Sequence, residues 1–405
     1  MSLDLDALYI DLHRNPELSF QEHRTAGVIS ATLDELGIEH TTGVGGTGVV
    51  AVLRGNADGP VVYLRADTDG LPVLEQTGLD YASTAHGLDP HGLDVPVMHA
   101  CGHDMHVTCL LGALERLVAQ RDEWAGTVVA LFQPAEEFGA GARAMLDDGL
   151  LERFPRPDVV LGQHVTPLPA GIVGVRPGTQ MAASDGITVT LHGRGGHGSR
   201  PHSTIDPIVM AAATVMRLQT VVSREVDPRD VAVVTVGAIH AGLKNNIIPA
   251  EATLELSLRY PTDELREHVL DSVTRIVNAE ALASGATEAP TITTLHTLPA
   301  TINDADATAR TVAAFQRAFG DDQVVDPGMF TGSEDVSWFA RDADVPLVYW
   351  FWGGTDQHAY AVAKAAGTLD SDIPTNHSAM FAPVMHPTIE RGVDALVVAA
   401  REWLE

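Results

Sequence analysis

Four short stretches of the chain share one grammar: a run of β-branched and other apolar residues that ends in side chains able to hold a ligand. They are PVVYLRADTD at 60–69, DVPVMHACGHD at 94–104, TVVALFQPAEE at 127–137 and DVVLGQH at 158–164. The first, third and fourth are near-continuous apolar runs, as strands covered on both faces require, so they predict buried strands of an α/β sheet. Helices fall between them, such as 110–118, where Leu110, Leu111, Leu114, Leu117 and Val118 recur at helical spacing. In open sheets of this kind ligands gather outside the carboxyl ends of the strands. The runs place Asp67, Asp69, Glu136, Glu137 and His164 there. The second stretch is shorter and reads as an approach to a loop.

Near the start, Ser19-Phe20-Gln21-Glu22 has the pattern of a capping box; Val28, Ile29, Leu33 and Leu36 follow at helical spacing, and Gly37 supplies the stop. A different pattern occupies 184–298. Residues 187–191 read as a strand, Asp206-Pro207 caps a helix running to about Arg224, and 231–239 and 253–260 are two more strands. Thr262 caps a second helix with one apolar face, and 291–295 closes as a strand. This βαββαβ order is the ferredoxin-like plan. It sets the first strand beside the last, antiparallel, so the chain comes in and goes out at one place and the unit can be inserted into another domain. From 299 onward a buried strand at 346–352 and a final helix complete the first domain. The predicted division is a discontinuous catalytic domain, 1–183 with 299–405, built on a mixed, mostly parallel sheet with flanking helices, and an inserted domain at 184–298.

A length of 405 residues, 45% hydrophobic and 20% charged, fits two globular domains and excludes a disordered chain. The 25 basic residues stand against 54 acidic ones, a formal charge of −29. That field repels polyanions, which argues against nucleic acid and anionic membranes as partners. The two cysteines, Cys101 and Cys109, are too few for a disulfide framework, and the start MSLDLDALYID lacks the basic and apolar segments of a signal peptide. The chain therefore reads as cytoplasmic. No run approaches the roughly 18 uninterrupted apolar residues of a membrane span.

Between Met98 and His106 the chain packs a thiol, three imidazoles and a carboxylate into nine positions, with Gly102 allowing a sharp bend. A polar loop around a buried cysteine would also fit. As ligands, Cys101 and His103 suit zinc, cobalt, nickel or manganese better than calcium. Glu136 and Glu137 end a strand that should be buried, where adjacent carboxylates are costly unless neutralised. In a regular strand they would face opposite ways, but Pro134 and Gly139 suggest a turn that lets both face one site, one for metal and one for a proton. An isolated Glu pair is equally at home on a solvated helix start. His164 and His377 are uninformative alone among 18 histidines, and Asp67 and Asp69 are ordinary turn residues unless they orient a ligand imidazole. The glycine-rich GRGGHGSRPH at 193–202 lacks the lysine of a phosphate loop, so it disfavours a nucleotide; its flexible backbone would let His197 reach a ligand.

Taken together, LHRNPELSF at 12–20, RADTDGLP, MHACGHD, FQPAEE, GQHV, GGHGSRPH, TIDPIVMAA at 204–212, NNIIP at 245–249, SED at 333–335 and NHS at 376–378 resemble, in order, the metal-dependent N-acyl-amino-acid amidohydrolases, the hippurate hydrolase and indole-acetyl-amino-acid hydrolase group. The resemblance spans nearly the whole chain. It implies Cys101, His103, Glu137, His164 and His377 as ligands of two divalent ions, zinc or manganese with nickel and cobalt also accommodated, and Glu136 as general acid/base. It further implies that the inserted domain is a lid and homodimer contact, that His197 binds the substrate carbonyl, and that Asn246 and Arg259 hold substrate. Asp69 is placed behind the ligands. Thr68, Gly70, Met105, Phe138 and the continuation NHSAMF depart from the family pattern, which affects pocket shape and substrate choice.

The activity so implied is hydrolysis of the amide bond of a small N-acyl amino acid to a carboxylic acid and a free amino acid. A dipeptidase or carboxypeptidase of the same wider group differs only in whether the acyl side carries a free amine. A non-catalytic metal-binding scaffold is the rival from another class.

Overall fold

The computed structural model describes residues 2–404. The chain falls into two compact units: Met1–Gln180 with Ile302–Gly328 and Asp335–Glu405, and Met181–Thr301 with Met329–Glu334. The larger is built on an eight-stranded sheet in the order Glu39–Val44, Gly48–Arg54, Thr127–Gln133, Val61–Asp67, Val159–Pro169, Leu347–Thr355, Val173–Gly174, Val324–Val325. Its four central strands, Thr127–Gln133 to Leu347–Thr355, run parallel. An antiparallel hairpin extends one edge and two short strands the other. This is the mixed, mostly parallel α/β sheet that the apolar runs predict. Asp67 pairs with Gln133 and Phe351 with His164, so the carboxyl ends of neighbouring strands finish close to level.

The second stretch, read as an approach to a loop, is bounded by regular structure on both sides of that loop. Asp94–Pro96 forms a short strand, and the helix expected over 110–118 spans His103–Ala119. Its first turns look like loop because they are polar, yet His103, Asp104 and His106 are buried in the site. The capping box at 19–22 also fails to form. The helix His23–Glu35 has Glu22 at its N-cap without a side-chain cap bond. Glu17 takes that role, accepting the amides of Arg24 at 2.9 Å and Thr25 at 2.8 Å, while Ser19 and Glu22 turn inward.

In the smaller unit a four-stranded antiparallel sheet runs Val233–Ala241, Glu251–Tyr260, Ala183–His192, Thr291–Leu298, with helices Pro207–Thr220 and Asp263–Ala283 packed on it. Asp206 and Thr262 cap those helices by accepting the amides of Ile208 and Leu265. The α-helix begun at Pro207 stops before Arg224, where Val221–Glu225 widens into a π turn. Residues 329–334, assigned from sequence to the first domain, cluster with this unit instead. The Ala182 amide donates to Phe330 and Gly332 carbonyls, and Arg259 donates to Ser333. Among the described residues no helix is long and apolar enough to cross a membrane.

The C-terminal helix Thr388–Leu404 packs on His103–Ala119, and Gly392 lies at a close contact between them. A Cβ there would lie 2.5 Å from Cys109 Sγ and 3.1 Å from the Trp352 ring. Gly392→Ala should therefore cost about 1–3 kcal/mol by overpacking, read as a lowered urea midpoint. Adding Cys109→Ala should recover part of the loss.

Candidate metal centre

Gly102 takes φ +84°, and a Cβ on it would come 2.4 Å from Val165 Cγ1. This bend ends the approach at Cys101 and starts the helix at His103, so two donors two residues apart reach one place. Cys101 Sγ lies 3.4 Å from His164 Nε2. His164 Nδ1–H donates to the Val165 carbonyl at 2.8 Å, which leaves the Nε2 lone pair facing the thiol. His103 Nδ1 bonds Asp69 at 3.1 Å, and its Nε2 is buried without a hydrogen-bond partner. Ala135, in the left-handed region at φ +49°, turns the chain after the strand Thr127–Gln133, so Glu136 and Glu137 both approach His103 Nε2, each to 3.9 Å. Glu137 Oε1 is likewise buried and unbonded. His377, also at positive φ (+71°), brings Nε2 to 3.4 Å from Glu137 Oε2.

Donor atoms of three overlapping sets, Cys101/His103/His164, Cys101/Glu137/His377 and His103/Glu136/Glu137, lie within 4.8 Å of one another. The structure thus brings together six residues that the sequence spreads over positions 101 to 377. The chemistry of the set, a thiol, three imidazoles and carboxylates with buried unbonded lone pairs, fits transition-metal binding. The field agrees. Burial lowers the His103 pKa, but Asp67, Asp69 and Glu137 outweigh it and lift the value to about 10, so the pocket favours positive charge at that place. His164 is pushed well below its usual value, chiefly by burial and then by His106, which keeps it neutral as a ligand must be.

The other sequence-nominated residues belong to the smaller unit. His197 sits on a two-residue strand paired with Ile247, and the Gly198 amide bonds the Asn246 carbonyl at 2.9 Å, so His197 and Asn246 are neighbours. His197 Nδ1 accepts from the Ser199 amide at 3.1 Å, which puts the ring proton on Nε2. Arg259 is partly buried. It donates to Ser333 Oγ at 3.0 Å, and no acidic side chain among the described residues pairs with it.

A model of Peptidase family M20/M25/M40 matches residues 63–381. The chain belongs to this family. It is 37% identical over 347 residues to thermostable carboxypeptidase 2 of Saccharolobus solfataricus, covering 84% of each chain. With hippurate hydrolase of Campylobacter jejuni it shares 42% over 275 residues, 67% of this chain and 68% of that one. A crystal structure of a dinuclear metal-binding M20 peptidase from Bacillus subtilis superposes with TM-score 0.79 at 30% identity, covering 99% of this chain and 97% of that one. The protein is accordingly a metal-dependent hydrolase of the M20 family.

Several residues of this M20 site stand in the sequence only as letters of a motif or as departures from it, with no role assigned. Arg65 is fully buried and bonds Asp67 at 2.6 Å, Gln133 at 2.9 Å and Asp335 at 3.2 Å. Arg65, His103 and His106 outweigh burial and hold the Asp67 carboxyl well below the usual range. His106 Nε2 accepts the Val165 amide at 3.0 Å, so its Nδ1–H donates to Asp67. Asn376 ties the loop of His377 to the carbonyls of Cys101 (3.2 Å) and Val165 (3.1 Å). Phe138, the residue after the Glu pair, lies partly exposed 6.5 Å from the Phe20 ring. A buried arginine in an apolar strand was the one detectable sign: burial of a charge demands partners.

Beneath the helix start, His13 bridges Asp104 at 2.6 Å and Glu75 at 3.1 Å. Burial works against its charge, but these bonds lift its pKa from 6.5 to about 9. A raised folded-state value stabilises fully below pH 6.5 and is lost as pH rises through about 9. The melting temperature should fall over that window, and His13→Gln should flatten the fall.

Proposed function

We propose that this M20 hydrolase cleaves the amide bond of N-acyl amino acids, releasing a carboxylic acid and a free amino acid. The observation that carries the reading is the convergence of Cys101, His103, Glu137, His164 and His377 about Glu136. Those five would hold two divalent cations, zinc or manganese by ligand chemistry, with nickel or cobalt compatible. Bound there, the cations would supply polarisation of the acyl carbonyl and an acidified water. Glu136 takes the proton of the attacking water and hands it to the leaving nitrogen, a role worth about 10²–10⁴ in rate. Its backbone N–H donates to the Asp69 carboxylate at 3.2 Å, which holds the main chain from which the side chain projects. Two features support roles for the inserted unit's residues. His197 carries its proton on Nε2, the form that donates to a developing oxyanion. Arg259 is a charge without an acidic partner among the described residues, in a chain of formal charge −29, suited to a substrate carboxylate, with Asn246 a further substrate contact. The relative named hippurate hydrolase acts on an N-acylated glycine, which favours this substrate class.

The relative named carboxypeptidase favours a second reading, cleavage of peptides with a free amine on the acyl side. A panel of N-acetyl, N-benzoyl and indole-acetyl amino acids beside dipeptides, after loading with each metal, separates the two. A homodimer through the inserted unit belongs to the same proposal. Ile208, Val209 and Met216 are exposed on the helix Pro207–Thr220, and Val233–Ala241, with Ile239 exposed, is an open sheet edge. Sedimentation at varied concentration checks it.

Glu136→Gln should keep metal content at the wild-type level while turnover falls by about 10²–10⁴; metal analysis beside the hydrolysis assay reads both, and surviving turnover refutes the role. Arg259→Met should raise KM about ten- to hundredfold for substrates with a free carboxylate, with a smaller effect on their amides.

A further inference from the structure

Glu22 is fully buried and caps no helix. One carboxylate oxygen accepts the Ala135 amide at 2.8 Å and the other accepts the Thr47 hydroxyl. Ala135 is a non-glycine residue in the left-handed region, a strained conformation that persists only where surroundings enforce it. From that turn the next two amides, Glu136 and Glu137, both reach the Asp69 carboxylate, at 3.2 and 3.1 Å. Three consecutive N–H groups are therefore held by two buried carboxylates, Glu22 gripping the first and Asp69 the next two. Burial, followed by the charge of Asp69, raises Glu22 to about 7, so the arrangement is kept against an electrostatic cost. An apolar side chain would fill the same space without that cost.

We infer that Glu22 is a positioning residue that pins the left-handed turn at Ala135 and so aims Glu136. The inference rests on the reading of Glu136 as general acid/base, but its structural half stands apart from any substrate. Glu22→Met matches the volume and removes the acceptor; Glu22→Ala guards against a packing failure of the longer side chain; Glu22→Gln keeps an oxygen for the Ala135 amide. By hydrogen exchange on the full chain, the Met and Ala variants should exchange the amides of Glu136 and Glu137 at least tenfold faster, while Thr127–Gln133 keeps wild-type protection. Glu22→Gln should stay near wild type. Adding Ala135→Gly to the Met or Ala variant should recover part of the protection, because glycine enters the left-handed region unaided. On an N-acyl amino acid that the wild type hydrolyses, kcat should fall at least tenfold in the Met and Ala variants with KM within about twofold, and the added glycine should restore part of kcat. Wild-type exchange at 136 and 137 without the Glu22 carboxylate overturns the inference, as does loss of protection along the whole strand. A wild type inactive on every N-acyl amino acid would sink the substrate reading alone, and the exchange result would still decide Glu22.

Discussion

The Asp69 carboxylate is the knot on which the centre depends. It receives the Ser19 hydroxyl at 2.6 Å, the His103 ring at 3.1 Å and the amides of Glu136 and Glu137. A buried carboxylate is tolerated only when its lone pairs are met by donors. Here the donors come from the N-terminal segment, a helix start and a strand end. Meeting the needs of one anion therefore fixes the relative places of three segments. Arg65 does the complementary work one layer beneath. Its fully buried guanidinium balances Asp67 and Asp335, so carboxylates can crowd the sheet's end without unfolding it.

Glu136 and Glu137 show how backbone geometry separates chemical roles. In an extended strand, neighbours in sequence face opposite sides. The turn at Ala135 cancels that alternation and leaves both side chains within 3.9 Å of one imidazole nitrogen, with Glu137 also in contact with His377. Two identical side chains thereby acquire different surroundings, which is the condition for different duties.

Much of the larger unit was legible because its central strands are covered on both faces and so read as unbroken apolar runs. The same logic located the donors, since strand ends are where such sheets leave room. The failures share one cause. Ser19 and Glu22 carry the letters of a capping box but spend their side chains on Asp69, Ala135 and Thr47, contacts across 25 to 113 positions that no local rule contains. The first turns of the helix at His103 are polar because they face the site, and polarity mimics a loop. Arg65 and Asn376 passed as motif letters, since their work consists of bonds to residues up to 275 positions away. Residues 329–334 were misassigned because a short strap gives no periodic signal.

In the smaller unit the first strand lies directly against the last, Ser184 opposite Leu298. Paired residues of this kind sit roughly 5 Å apart, so the stretch 184–298 begins and ends at a single seam, while residues 329–334 join the unit separately. Topologically residues 184–298 are a graft: a bridge of one or two residues could span its base. Recombination at that seam can exchange whole grafts between relatives while the order of strands in the eight-stranded sheet stays as it was.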